Sequence, residues 1–111
     1  SDLDETMNQL GSGELSPITE IFNMKHTDNK GAINAVLDGT AALYNGRDSI
    51  PLTVKVGGVE LTSVSTEIVN ETDSVPGVQR EMVIKAATPT ATQSGNYSGS
   101  FAVVFEPVLK P

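Results

Sequence analysis

The chain has 111 residues, enough for one domain with a modest core; 38% of the residues are hydrophobic, 5% are aromatic, and none is tryptophan. Its net charge of −7 argues against partners such as nucleic acid, whose phosphates require a basic surface, and against docking on anionic membranes. Because cysteine is absent, disulfides, thiolate metal sites and cysteine nucleophiles are excluded. No apolar stretch is long enough for a transmembrane helix, so we expect no membrane insertion.

The first segment, residues 1–17, differs in composition from the rest of the chain. It is acidic and polar, and Leu3, Met7 and Leu10 have a spacing that suits a short helical turn, which the glycines at 11 and 13 would end. We therefore expect residues 1–17 to be loosely ordered and residues 18–111 to form the folded domain. Since Ser1 is not an initiator methionine and no signal-like region is present, a processed product is also expected.

From residue 18 the pattern becomes typical of β-structure. Residues 18–27 predict a first strand with Phe22 and Met24 on one side. Residues 28–31 have turn composition, and the glycine at 31 is expected to adopt a left-handed backbone. Residues 32–37 predict a second strand, followed by a less regular stretch with a turn at Asn45 and Gly46.

The middle of the chain contains the clearest local signal. In residues 50–62 two alternating apolar runs flank Gly57 and Gly58, a pair that accepts the positive φ angles of a two-residue hairpin. Residues 64–69 and 81–87 predict two more strands, and residues 70–77 and 88–95 are polar loops.

The last predicted strand is the most unusual element. Residues 96–105 have a high β-strand propensity. Within them, the five consecutive apolar residues from Phe101 to Phe105 predict a strand that is buried on both faces. A buried strand needs neighbours on both edges, yet Pro107 and Pro111 argue against a regular partner strand behind it. Either another polypeptide completes the sheet, or this strand lies between two earlier strands.

These patterns together predict an all-β fold. About six strands joined by short turns, without a convincing long helix, indicate an antiparallel sandwich. An immunoglobulin-like sandwich requires about seven strands, and the shortfall would fall at the C-terminus.

The chain offers no assembled catalytic set. His26 is the only histidine, and a lone histidine at the end of a strand more often bonds a turn than acts in catalysis. The acidic residues near the N-terminus do not have the spacing of a calcium loop, and no glycine-rich loop opens a helix. We therefore predict no catalytic residues, no metal and no cofactor.

Several segments resemble a known family. The stretch 81–87, the Thr/Pro/Ala-rich loop after it and the element Gly95-Asn96-Tyr97-Ser98-Gly99 are similar to the C-terminal third of pilins from the alpha-clade chaperone–usher fimbriae. These include colonisation factor antigen pilins and related coli surface antigens. The Gly-Gly hairpin and His26-Thr27-Asp28 at the end of the first strand also resemble that family, and the similarity covers about residues 18–106.

The resemblance implies an incomplete immunoglobulin-like sandwich that lacks its final strand. It implies a structural subunit of an adhesive surface fimbria, exported through the periplasm, where a chaperone first lends a strand. A neighbouring subunit's N-terminal extension then replaces that strand by donor-strand complementation. The donor-strand groove would involve five residues of the first and last strands: Phe22, Met24, Phe101, Val103 and Phe105.

One departure from the family and one alternative function remain open at this stage. Family pilins begin with an alternating apolar donor extension, whereas residues 1–17 contain no such run, so the sequence supports accepting a donor strand better than donating one. The alternative is a self-sufficient β-sandwich adhesin domain that binds a host receptor or glycan directly. That function would need an exposed aromatic or arginine-rich patch, and Arg47 and Arg80 are far apart in sequence.

Overall fold

The computed structural model describes residues 5–111, and its regular elements are almost all strands. Eight strands and one short helix follow one another along the chain: β1 (Ile18–Met24), β2 (Gly31–Asp38), β3 (Ala42–Tyr44), β4 (Ser49–Val56), β5 (Val59–Glu60), β6 (Thr66–Val69), α1 (Glu71–Ser74), β7 (Val78–Ala86) and β8 (Ala102–Leu109).

The strands form two antiparallel sheets. The larger sheet has the order β1-β7-β4-β3, with β5 paired to β4, and the smaller sheet has the order β6-β2-β8. The predicted all-β antiparallel sandwich is therefore confirmed. The described residues contain eight strands rather than about six; β3, with three residues, lies in the stretch predicted as less regular because it is too short to produce a clear alternating pattern.

The hairpin between β4 and β5 forms as its sequence predicts. Gly57 and Gly58 have φ angles of 56° and 82°, and Val56 pairs with Val59 across the turn. Positive φ at both central residues is the requirement of a type I′ turn, which matches the twist of the flanking strands.

The turn before β2 uses its glycine differently from the prediction. Gly31 does not have a positive φ angle and is instead the first residue of β2. A Cβ at this position would lie 2.1 Å from Cγ of His26, so glycine is required here because the imidazole ring packs on its backbone. The Nδ1 atom of His26 accepts a hydrogen bond from the N–H of Asp28 at 3.0 Å, which is the turn-bonding role expected of this histidine.

The core lies between the two sheets. It combines inward side chains of both, among them Ile33 and Ala35 of β2 and Val54 and Val56 of β4. Phe22, Phe101, Val103 and Phe105 are half-buried and pack against this core from one side. The aliphatic composition of the core follows from the scarcity of aromatic residues in the chain.

The terminal strand differs from its prediction in extent and in burial. β8 begins at Ala102 rather than near residue 96, and it continues through Pro107 to Leu109. Ala102 and Val104 are exposed, with 41% of Val104 accessible, so the strand is not buried on both faces. The apolar run predicted two buried faces, but from Ala102 to Phe105 exposed and half-buried residues alternate, because nothing in the described residues covers the outer face.

The N-terminal segment contains a turn where its apolar spacing suggested a helix. Gln9 and Leu15 form an antiparallel bridge, and the N–H of Leu10 donates to the carbonyl of Glu14 at 2.7 Å. Gly11 and Gly13 allow the chain to reverse, which disfavours the helical turn. Leu3, part of the proposed helical spacing, lies outside the described residues, and the loose order of residues 1–17 stays a prediction.

Candidate functional site

The strongest candidate site lies where the edge strands of the two sheets meet. β1 ends the order of the larger sheet and β8 ends the order of the smaller one. The rings of Phe22 on β1 and Phe105 on β8 have centroids 5.3 Å apart and planes inclined by 59°, a favourable tilted geometry. This contact places the two sheet edges on the same side of the sandwich.

A cleft of about 250 Å³ opens beside this aromatic pair. Most of its wall is apolar, and Lys25, which is exposed, contributes a positive charge at its rim. Its lining residues come from β1, β2 and β8 and from the residue after β1: Phe22, Asn23, Met24, Lys25, Ile33, Phe105 and Pro107.

Of the five residues predicted from sequence for a groove, the structure brings three together at this cleft. Phe22, Met24 and Phe105 line it, whereas Phe101 and Val103 do not and instead pack against the core farther along the side formed by β8. Sequence reasoning missed Ile33 and Pro107. For Pro107 a signal was present in the sequence, because this residue lies two positions after Phe105 and so shares its face of the strand.

Two hydrogen bonds establish which backbone groups of β8 point away from β2. In an antiparallel ladder, successive residues direct their N–H and C=O groups to opposite neighbours. The N–H of Lys110 donates to the carbonyl of Lys30 at 2.8 Å, so even-numbered residues of this segment face β2. The N–H of Leu37, which pairs in register with Val103, instead donates to Thr62 on the β6 side. Val103, Phe105 and Pro107 therefore direct their backbones to the edge that no described strand covers.

The backbone of β1 also has groups that point to an open edge. The N–H of Gly57 donates to the carbonyl of Glu81 and the N–H of Ala87 to the carbonyl of Pro51, so odd-numbered residues of β7 face β4 and even-numbered ones face β1. Through the register of β1 and β7, the backbones of Ile21 and Asn23 then point to the open edge. Their side chains point outward, and 63% of Ile21 is exposed.

The element from Gly95 to Gly99 anchors the start of the terminal segment. Tyr44 and Ser98 exchange two backbone hydrogen bonds of 2.7 and 2.9 Å, which joins this element to β3. At Gly99 a Cβ would lie 2.1 Å from the carbonyl oxygen of Ala42, so only glycine allows the approach. The side-chain amide of Asn45 adds a hydrogen bond to the carbonyl of Ser94 at 3.1 Å.

This anchoring joins the two sheets. Ser98 pairs with β3 of the larger sheet, and only four residues later Ala102 pairs with Asp38 of β2 in the smaller sheet. The terminal segment thus runs antiparallel beside the stretch of chain that connects β2 to β3, and it crosses from the larger sheet to the smaller one with it. Its anchored start positions the inward side chains of β8.

Two groups near this segment have shifted protonation equilibria. Burial raises the pKa of Tyr97, and the carboxylate of Asp48 raises it further against the opposing charge of Arg47. The Tyr97 hydroxyl oxygen is buried and has no hydrogen-bond partner among residues 5–111. At the other end of β8, a hydrogen bond and the charge of Glu67 raise the pKa of Lys110, whose ammonium lies 2.7 Å from that carboxylate.

Other kinds of site receive no support from residues 5–111. Within that range no cluster of three or more histidine, cysteine or acidic side chains is placed to hold a metal ion. The one helix described there has four residues, and no helix of this part of the chain could cross a membrane.

Comparisons with known proteins identify the family and the fold. The model of the family described as "CS1 type fimbrial major subunit" matches residues 5–106. Among solved structures, the chain is similar to the CooA pilin subunit from enterotoxigenic Escherichia coli, with a TM-score of 0.70 and 16% sequence identity over 85% of this chain and 71% of that chain. No curated protein sequence matches the chain.

An all-β sandwich of this form is a pilin-like fold. Because the family model covers nearly the whole chain, the chain belongs to the CS1 type fimbrial major subunit family. It is a structural subunit of a surface fimbria and not an enzyme.

Proposed function

We propose that this subunit assembles by accepting an extended segment of another polypeptide along the open edge of β8, in the groove between β1 and β8. Within the periplasm the segment comes from a chaperone, and in the fimbria it comes from a neighbouring subunit. The proposed donor-strand groove contains Phe22, Met24, Phe101, Val103 and Phe105, to which the cleft adds Ile33 and Pro107.

The observation that carries this proposal is the direction of the β8 backbone. Val103 and Phe105 direct their side chains toward the core and their N–H and C=O groups toward the open edge. An added strand can therefore form main-chain hydrogen bonds with the same residues whose side chains it would cover. Strand addition combines these two contributions, because main-chain bonds provide affinity and pockets for alternate side chains provide specificity.

The chemistry of the cleft indicates what kind of segment fits. Its wall is mostly apolar, so every second side chain of the added strand should be aliphatic, and the intervening ones should be polar because they face solvent. Filling the cleft would also cover the half-buried faces of Phe22 and Phe105, which stabilises the sandwich by about 25 cal/mol per Å² of apolar surface removed from water.

A peptide-binding experiment tests the proposal. A peptide of alternating valine and threonine should raise the melting temperature of the purified chain in a concentration-dependent manner, because a ligand that binds only the folded state stabilises it. A peptide of the same composition with its valines contiguous is the matched control and should have little effect. A cooperative melting transition that neither peptide changes would contradict the proposal.

The partners are tested separately. Co-expression with the periplasmic chaperone of a CS1-type system should yield a complex that the alternating peptide displaces. A complex that forms equally well with a Phe105→Ser variant would argue against the groove as the chaperone site.

A further inference from the structure

We propose that Pro107 interrupts the hydrogen-bonding ladder of the accepting edge and thereby limits how far an incoming strand pairs along β8. This inference rests on the proposed strand acceptance and concerns the length and register of the accepted segment. The residue was expected from sequence to argue against a further strand, but the structure places it inside β8, opposite Ile33.

The backbone of Pro107 faces the open edge of the smaller sheet. The odd-numbered residues of β8 point their backbones to the open edge, and Pro107 is one of them. Proline has no N–H, but at this position an N–H would point away from β2. The pairing of β8 with β2 therefore loses no hydrogen bond and continues through Pro107 without a break in register. The cost falls entirely on the open edge.

The open edge of β8 lacks one hydrogen-bond donor at Pro107. Val103 and Phe105 each present one donor and one acceptor there, whereas Pro107 presents an acceptor only. The pyrrolidine ring also occupies the position of the missing hydrogen, so a neighbouring strand cannot approach as closely at this point. A carbonyl of the incoming strand opposite Pro107 would therefore remain without a donor.

Pro107 lies in the wall of the cleft. The residue lines the same cleft as Phe22 and Phe105, so an accepted strand that extends toward the C-terminal end of β8 must pass it. Strand pairing is thus continuous beside Val103 and Phe105 and interrupted beside Pro107. Proline on an exposed edge also hinders uncontrolled pairing between sheets, a common protection of edge strands.

A comparison of Pro107→Val with the unchanged chain tests this inference. Valine restores the N–H and keeps an apolar side chain at the cleft. Pro111→Val is the matched control, because that proline is exposed like Pro107 but lies outside β8 and does not line the cleft. The probes are alternating valine/threonine peptides of increasing length, and the measurement is the dissociation constant of each peptide for each variant.

For each protein, the affinity of longer peptides is compared with that of the shortest peptide that binds, so the gain with length is what the substitution should change. Longer peptides should bind Pro107→Val about five-fold more tightly than the other two, the effect of about one additional hydrogen bond. In a deuterium-exchange experiment, the backbone amide that the Pro107→Val substitution introduces should become protected when the longer peptide binds. Equal affinities at every length, or an introduced amide that stays unprotected while that of Phe105 is protected, would overturn the inference.

The unchanged chain provides a test that does not depend on the folding of a variant. Its peptide affinity should stop rising once the peptide covers Val103 and Phe105, and a continued rise with length would contradict the role of Pro107. If no alternating peptide binds the unchanged chain at any length, the proposed function itself fails, which is a distinct outcome.

Discussion

The ring of Phe22 on β1 packs against the ring of Phe105 on β8, although 83 positions separate the two residues in the 111-residue sequence and they lie in different sheets. This contact connects the first and last strands of the described fold. It is also the only aromatic pair that the structure shows within residues 5–111, so it carries the edge-to-edge contact in a chain with few aromatic residues.

Replacing Phe105 with alanine should destabilise the protein and weaken strand acceptance. The substitution removes the ring contact and opens the cleft, and because the side chain is only half-buried we expect a loss of about 2 kcal/mol, below the range for fully buried phenylalanine. Urea denaturation measures the change. Val104→Ala, on the exposed face of the same strand, should change the free energy of unfolding by less than about 0.5 kcal/mol, and equal effects of the two substitutions would contradict the assigned faces.

Gly99→Ala should disrupt the anchoring of the terminal segment. The new Cβ would lie 2.1 Å from a backbone oxygen of Ala42, and backbone cannot move aside as a flexible side chain can. We expect a loss of about 1–3 kcal/mol. Gly11→Ala is the matched control, because no atom lies within 4 Å of its Cβ position, and thermal unfolding should separate the two variants clearly.

Ser74→Ala should be costly despite the small change in volume. Ser74 is completely buried, and its hydroxyl donates a hydrogen bond to the carbonyl of Gly31, which joins α1 to the start of β2. Removing the hydroxyl deprives the carbonyl of Gly31 of this hydrogen bond, so the free energy of unfolding should fall by about 1–2 kcal/mol. The exposed Ser100→Ala provides the comparison, and a similar stability of both variants would show that this hydrogen bond contributes little.

The stability of the protein should fall as the pH rises above 10 because of Tyr97. Its pKa in the folded state lies above the ordinary value of 10.0, mainly because burial disfavours the phenolate, so above that pH the unfolded chain releases this proton more readily than the folded one. Below pH 10 both states keep the proton and Tyr97 adds nothing to the pH dependence, whereas the folded state is progressively destabilised as the pH rises from 10 toward the folded-state pKa. Denaturation between pH 9 and 11 measures the slope.

Tyr97→Phe should remove this contribution to the slope without loss of stability at neutral pH. The hydroxyl is buried, and no described residue forms a hydrogen bond with it, so its removal eliminates a desolvation cost and leaves the ring in place. A clear loss of stability at pH 7 would instead show that the hydroxyl forms a hydrogen bond that stabilises the folded state.

The local features of this fold were predictable and the long-range ones were not. The Gly57-Gly58 turn and the alternation of Phe22 and Met24 follow from conformational preferences of neighbouring residues, and both appear in the structure as predicted. The apolar run before Glu106 predicted a strand but assigned it two buried faces. Burial depends on which other elements cover each face, and the pairing of β8 with β2 joins residues about 70 positions apart.

The candidate groove shows the same division. Alternation placed Phe105 and Val103 on one face, but it could not distinguish the residue that reaches the cleft from the one that packs farther along β8. Gly31 was interpreted as a turn residue because glycine is common in turns, whereas its requirement comes from the ring of His26, five positions away in sequence. Steric requirements of this kind depend on side-chain packing and leave no local sequence pattern.

The passage of the terminal segment from β3 to β2 has a mechanical consequence for a fibre-forming subunit. Hydrogen bonds of an antiparallel ladder lie perpendicular to the strands, so tension applied along β8 would load them in shear and many would have to break together. Because this segment bonds to Tyr44 in one sheet and to Asp38 and the residues before it in the other, both layers would share the pulling force.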